Sequence, residues 1–397
     1  MGRCGMRILV ALTYYAPYTS GLTIYAQRLA EALARGGHEV SVLASRHLPE
    51  LPQEETLNGV HVIRAPVAFR LSKGMVMPSF GRLAGKLMRE TDIVQLHLPQ
   101  FDGARVAGRA RRESKPVVVT YHCDLVMPKG TFNRIANAAV LEMDRVAARY
   151  ADAIVSQTKD YAEHSPLLRQ TMNKVHFILP PVQLPEVSSS DVMAFRKEQG
   201  LESFHPVIGM AARLASEKGV EVLLSALPFI LARYPQALVL YVGPYEHIRG
   251  EEAYFRRLEP AIRDFEAGGH WRFLGVLTNE ELVAFYRNLD VLVLPSLNST
   301  EAFGMVQIEA MINGVPVAVS DLPGVRQAVA MHGMGRTFPV GNPEGLAQAV
   351  LGIVSTPERY RGEPESIQEI YDPDTVAGEY EKLFDEVLSR RRADAPR

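Results

Sequence analysis

Two glutamates, Glu301 and Glu309, flank the short apolar stretch of "EAFGMVQIE". Carboxylates so placed suit three kinds of chemistry. They can act as acid and base on a glycosidic bond, ligate a metal, or hold a polyol through its hydroxyl groups. Alone, the pair reads better as two solvated surface charges. Upstream, "RLASEKG" sets Arg213 and Lys218 close together. Arginine brings a planar fork of donors and lysine a point charge, a combination able to cover a diphosphate. The same residues are also ordinary surface charges in most proteins.

Position separates these readings. "PVIGMAAR" (206–213) is a strand-like apolar run ending on Arg213, and Lys218-Gly219 leads into a helix. "DVLVLPS" (290–296) is a second such run, and Glu301 falls in the loop after it. Phe303, Gly304 and Met305 then open a helix that carries Val306 and Glu309 and stops at "NG" (313–314). A helix start offers free N–H groups, and a glycine there lets the backbone approach a ligand closely. A glutamate one turn inside can accept hydrogen bonds from a ribose diol.

The strand runs form two series. The first is "RILVAL" (7–12), "EVSVLA" (39–44), "DIVQLH" (92–97), "KPVVVTYH" (115–122) and "DAIVSQT" (152–158); the second adds "ALVLYVG" (237–243), "WRFLGVL" (271–277) and "VPVAVSD" (315–321). Helical spacing intervenes, as at Ile24, Tyr25, Leu29 and Leu33, where Gly36 and Gly37 stop the helix. Buried strands alternating with helices predict an α/β chain with parallel, doubly wound sheets. "HFILPPVQLP" (176–185) breaks the pattern as a stiff connector. The expected organisation is a Rossmann-like N-terminal domain, 1–182, and a Rossmann-like C-terminal domain, 183–373, facing each other across a cleft. A last helix, about 374–391, is free to pack on either half. Ligands of such sheets bind at the carboxyl ends of strands, which makes the cleft the default site.

Composition narrows the class. The chain has 397 residues, 47% hydrophobic and 22% charged, as expected of a globular protein of two domains. No run of about 18 apolar residues occurs in the sequence, no cleavable leader is expected from its opening residues, and the two cysteines, Cys4 and Cys123, give no disulfide framework. A cytoplasmic location is expected, with the inner membrane face as its variant. Residues 1–180 carry 23 Lys+Arg against 15 Asp+Glu and the remainder 20 against 30, so net charges of +8 and −10 suggest domains with different partners; drift in surface composition explains it equally. In "PSFGRLAGKLMRE" (78–90), Phe80, Leu83, Ala84 and Leu87 share a helical face from which Arg82, Lys86 and Arg89 are absent. Residues 69–90 therefore read either as a peripheral contact with anionic lipid or acceptor or as a core-facing helix with a basic outer side.

"RLASEKG" followed by "EAFGMVQIEAMINGVPV" resembles the retaining glycosyltransferases of family 4, which have the GT-B fold; "SDLPGVRQAV" resembles that family's next loop. The resemblance covers nearly the whole chain. It implies that Arg213 and Lys218 neutralise the diphosphate of a nucleotide-sugar donor, that Glu309 holds the ribose, and that Glu301 reads hydroxyls of the sugar. Phe303, Gly304, Met305 and Val306 are implied in donor binding, and Val276 and Leu277 in backbone reading of the base. His122, in "TYHCD", matches a family histidine near the donor sugar. Gly21 matches a glycine-rich loop that usually has two adjacent glycines, one of which is Ser20 here. His97 and Asp124 are candidate acceptor contacts, and a lipid-linked, glycan or small-molecule acceptor is expected. The donor is expected to be a UDP-sugar, with GDP-mannose second, and the reaction to need no metal or other cofactor. The only Asp-x-Asp, "DPD" (372–374), reads as a helix start capped by Asp374. Two alternatives stand beside transfer: a GT-B nucleotide-sugar epimerase, and a non-catalytic nucleotide-sugar binder.

Overall fold

The computed structural model describes residues 5–71, 74–126, 131–246, 248 and 250–393. The chain divides into two compact units, Met1–Pro181 with Ile370–Arg397, and Val182–Glu369.

The first unit is built on an eight-stranded sheet. Its strands are β1 (Arg7–Ala11), β2 (Glu39–Ser45), β3 (Glu54–Leu57), β4 (Val60–Ala65), β7 (Ile93–Leu98), β8 (Val117–Tyr121), β9 (Ala153–Ser156) and β10 (Val175–Phe177); β5 (Phe69–Leu71) and β6 (Gly74–Val76) form a separate small hairpin. The order is β10-β9-β8-β7-β1-β2-β4-β3, parallel throughout except where β3 returns along β4. The central strands are mostly apolar because helices cover both faces. The helices of this part are α1 (Gly21–Arg35), α2 (Phe80–Met88), α3 (Gly103–Arg112), α4 (Thr131–Tyr150) and α5 (Lys159–His164). In β7 all six residues are buried, including Gln95 and His97, so polar groups sit where the pattern calls for apolar ones.

The second unit holds a six-stranded parallel sheet: β11 (Val207–Ala211), β12 (Leu238–Val242), β13 (Trp271–Gly275), β14 (Val291–Leu294), β15 (Val317–Ser320) and β16 (Gly335–Phe338). Its helices are α6 (Ser189–Glu198), α7 (Val220–Arg233), α8 (Glu252–Ala267), α9 (Asn279–Arg287), α10 (Met305–Met311), α11 (Val325–His332) and α12 (Pro343–Ser355). Leu223, Leu227 and Ile230 of α7, Leu258 and Ile262 of α8, and Leu346, Val350 and Ile353 of α12 join Ile208, Val239 and Val293 in one core. The strand order is β13-β12-β11-β14-β15-β16. The chain thus builds outward from β11 in one direction and returns to β11's other side at β14. Open α/β sheets bind ligands at such a reversal, beyond the carboxyl ends of the two strands.

The chain ends with α13 (Pro364–Tyr371) and α14 (Pro373–Ala393), and α14 packs on α1 in the first unit. Tyr25 and Tyr380 share a buried hydroxyl contact of 2.8 Å, and Arg35 pairs with Asp374. The cap of α14 is not Asp374, as the sequence suggested. Asp372 accepts from the N–H groups of Asp374 and Thr375 at 2.8 and 3.3 Å, because Pro373 begins the helix and places the cap one residue before itself.

The α2 face also differs from expectation. Phe80, Gly81, Ala84, Gly85 and Met88 are buried, whereas Leu83 and Leu87 are partly open. The helix is rotated because Gly81 and Gly85 admit the side chains of Arg105 and Arg109 from α3. Phe80 and Ala84 are therefore packed inside, while Arg82, Lys86 and Arg89 stay exposed. Phe69 of the β5–β6 hairpin is 57% exposed. Ser72 and Lys73 lie outside the described residues. Among the described residues no helix is long and apolar enough to cross a membrane.

Candidate functional site

The loops after β11 and β14 meet at the reversal point of the second sheet. Glycine makes the close approach possible: Gly219 has φ 68°, and a Cβ there would stand 2.0 Å from the Pro295 carbonyl oxygen. The Leu297 N–H donates to the Glu217 carbonyl at 2.9 Å, stitching the two loops by their backbones. Across this seam Lys218 Nζ reaches Glu301 Oε2 at 2.6 Å, and Ser296 donates to the same oxygen at 3.3 Å. Arg213 pairs with Glu217. These groups remain partly open, at 37% for the Arg213 side chain, 22% for Lys218 and 14% for Glu301. An ammonium has three donors and a guanidinium five, so each cation keeps donors to spare beyond its carboxylate.

Glu309 lies deeper. It is 6% exposed and accepts from the Tyr286 hydroxyl at 3.0 Å. Between the two glutamates, Gly304 takes φ 81°, where an added Cβ would meet Leu294 Cδ2 at 2.4 Å. Phe303 is buried, while Met305 and Val306 are partly open. The helix behind them, α10, has only seven residues, so free N–H groups rather than a long dipole are what it offers. Val276 and Leu277 follow β13; Val276 is 73% exposed and Leu277 partly buried. Gly275 is fixed beside them by accepting from Gly243 N–H at 2.7 Å. Arg213, Lys218, Glu301, Gly304 and Glu309 thus gather on neighbouring loops, and Val276 and Leu277 stand two strands further along the same sheet edge.

The first-unit candidates behave differently. His122 follows β8, is partly buried, and its Nε2 lies 2.8 Å from Nδ1 of His97. Burial pushes the imidazolium form of both rings far out of reach: His97 down to about 3, and His122 well below its ordinary value, with His97 itself adding to the second shift. His97 is 1% exposed inside β7, so it faces a neighbouring ring rather than a ligand. Asp124 is likewise turned inward, accepting from Tyr121 at 2.9 Å and Ser165 at 2.7 Å while its N–H donates to Tyr161 at 2.5 Å. Both were candidates for contact with an acceptor; the structure shows them buried and hydrogen-bonded within the unit. Gly21 is not part of a loop but the first residue of α1. Ser20, standing where a second glycine was expected, caps that helix by accepting from Thr23 N–H at 3.2 Å. Among the described residues no three His, Cys, Asp or Glu side chains gather as metal ligands.

Two contributors went unnoticed in the sequence. Gln307 is fully buried, and its amide donates both to the Phe303 carbonyl and, at 3.0 Å, to the Val325 carbonyl. It ties the turn that shapes Gly304 to the loop after β15. Tyr286, on α9, anchors Glu309. A polar residue in the apolar stretch between the two glutamates was the visible signal for the first; nothing in the sequence marked the second.

The chain has counterparts among known proteins. Residues 191–363 match the family model "Glycosyl transferases group 1" and residues 19–184 match "Glycosyltransferase Family 4". The chain belongs to the family 4 glycosyltransferases, with the two-sheet GT-B fold of that class. It is 28% identical over 356 residues to a phosphatidyl-myo-inositol mannosyltransferase of Mycolicibacterium smegmatis, covering 88% of this chain and 85% of that one. It is 26% identical over 363 residues to a GDP-mannose-dependent alpha-mannosyltransferase of Mycobacterium tuberculosis, covering 90% of each. The sucrose-phosphate synthase of Thermosynechococcus elongatus has a similar structure, with a TM-score of 0.77 at 20% identity over 97% of this chain and all of that one.

Proposed function

We propose that this glycosyltransferase moves a hexose from a nucleoside diphosphate sugar to an acceptor hydroxyl with retention at the anomeric carbon. The observation that carries the reading is the Lys218–Glu301 contact across the β11 and β14 loops, with Arg213 beside it. Cations for a diphosphate and a carboxylate for sugar hydroxyls are adjacent, as a bound nucleotide-sugar requires. Glu309, held by Tyr286, takes the ribose hydroxyls, and the Phe303–Met305 backbone lies along the donor. Val276 and Leu277 take the base.

In the transfer, the bond between the anomeric carbon and the diphosphate oxygen breaks, and its electron pair leaves with the diphosphate. Arg213 and Lys218 stabilise that developing charge. The acceptor oxygen attacks from the same face and passes its proton to the departing phosphate oxygen. No protein nucleophile is needed, so the catalytic contribution is positioning and charge stabilisation. The two cations do the neutralising that a divalent metal does elsewhere, and a chelator is expected to leave the rate unchanged. His122 serves the sugar end of the donor.

Of the two donors expected from sequence, the relatives bring GDP-mannose forward: one is a mannosyltransferase and the other is named as GDP-mannose-dependent. Purified protein is incubated with GDP-mannose or UDP-glucose and a panel of inositol, glycan and lipid-linked acceptors, and released nucleoside diphosphate is measured. Acceptor-dependent release from GDP-mannose, with an α-linked product by NMR, supports the reading. Sugar interconversion with no acceptor makes the chain an epimerase. Tight nucleotide binding without release across the panel makes it a binder.

A further inference from the structure

We infer that His97 is a positioning residue that holds the ring of His122 in one tautomer and one orientation, so that His122 presents its Nδ1–H as a donor. The inference rests on the reading that His122 serves transfer, and it is carried by a geometry the resemblance did not provide.

The two rings lie 5.1 Å apart between centroids at an interplanar angle of 19°, joined by the 2.8 Å Nδ1–Nε2 contact. Tyr25 meets His122 edge-on at 4.8 Å and 88°, and His97 at 6.2 Å and 74°. Tyr25 is itself fixed, since its hydroxyl meets that of Tyr380, which in turn lies 3.0 Å from the Thr120 hydroxyl. The His122 N–H donates to the Leu98 carbonyl at 2.9 Å, so the backbone is pinned to β7 as well. A ring bounded on these sides has little freedom to turn.

The proton positions follow from the orphaned atom. His97 Nε2 is buried and has no hydrogen-bond partner. A buried N–H without an acceptor is rarer in folded proteins than an unused acceptor, which leaves Nε2 bare and puts the His97 proton on Nδ1. His97 then donates to His122 Nε2, and the His122 proton must sit on its own Nδ1. Protonating either ring a second time would set two N–H groups against each other at 2.8 Å or add an unpaired buried charge. The groups facing His122 are His97 from β7 and Tyr25 from α1, with Tyr380 of α14 behind Tyr25. Asp124 of the same loop is committed to Tyr121 and Ser165.

Histidine-selective ¹⁵N labelling with two-bond ¹H–¹⁵N spectra reads tautomer and titration directly, and the His122 signals are assigned by their loss in His122→Gln. In the wild type, His122 is expected as the Nδ1–H tautomer with no titration between pH 5 and 8. In His97→Ala the Nδ1–H preference is expected to be lost and the His122 titration to move up from its buried value, since the smaller of the two causes of its lowering is gone, and kcat is expected to fall roughly tenfold, the low end of what losing the orienting partner of a metal-ligating histidine costs. An acid limb appears in the kcat profile while the donor Kd stays unchanged. His97→Asn, whose amide donates from nearly the same place, restores the tautomer and removes the acid limb. An Nε2–H tautomer in the wild type, or an unaltered His122 titration in His97→Ala, overturns the inference. If His97→Ala does not fold, the wild-type tautomer and the Asn variant decide it. Absence of turnover in the wild type refutes the functional reading and leaves the NMR result to stand on its own.

Discussion

In the second unit the candidate groups are paired as ions and partly open, whereas the first unit buries its two candidate histidines and keeps them neutral. Arg213, Lys218 and Glu301 form ion pairs at a strand-end seam. His97, His122 and Asp124 are folded inward, each held by rings and hydroxyls around it. The proposed function accounts for the difference by what each group would meet. A diphosphate brings its own charge, so its partners stay ionised, and partial exposure lowers the cost of keeping them so. A neutral donor or acceptor of a single proton has no charge to protect. Burial then serves it, because neighbours fix its direction.

The comparison breaks first at Lys218. Lys218→Ala removes a cation from the charged seam and leaves Glu301 with only the Ser296 hydroxyl on that oxygen, so kcat is expected to fall by roughly 10²–10³-fold, as for other losses of a group that stabilises developing charge; steady-state release of nucleoside diphosphate measures it. A change under about threefold would show that the ion pair is only structural. Gln307→Leu tests whether the seam depends on its buried support. Two carbonyls lose their donor, and the donor Kd is expected to rise roughly tenfold, while Gln307→Glu, which accepts rather than donates once ionised, does no better. Tyr286→Phe deletes one hydrogen bond to Glu309, worth about 1 kcal/mol, and nucleotide binding should weaken about fivefold by calorimetry.

The smallest effect belongs to the first unit. Asp144 is almost fully buried, and burial raises its carboxyl to about 8 from an ordinary 3.8. A raised acid favours the folded protein only while protonated, so its share of stability is lost as pH climbs from about 4 toward 8. Asp144→Asn, always neutral, should gain in Tm relative to the wild type across that interval, by a few degrees at pH 8. A Tm difference that does not vary with pH would show that Asp144 ionises normally.

The same contrast explains what was legible in the sequence. Buried strands such as β1, β11 and β14 announced themselves as apolar runs, and with them the doubly wound architecture. The charged seam was readable because Arg213, Lys218 and Glu301 follow such strands directly. Strands interrupted by exposed residues were harder to read. β3 and β4 are joined by Asn58-Gly59, both at positive φ, a hairpin signal that was present but unread. β16 is a four-residue strand with two exposed members. β10 was hidden in the stretch taken for a proline connector. The buried polar network was illegible for a different reason: His97 lies at a position in β7 where periodicity asks for an apolar residue, and nothing local reveals that its partner comes from β8. Tertiary contact alone makes that pair.

The most direct test of the donor seam is a calorimetric titration of GDP and UDP into the wild type, Lys218→Ala and Glu309→Ala. The wild type is expected to bind at least one of the two nucleotides. Both variants should bind it at least tenfold more weakly with thermal unfolding little changed. Equal affinities in all three proteins would contradict the account, because the nucleotide would then lie somewhere other than the β11–β14 reversal.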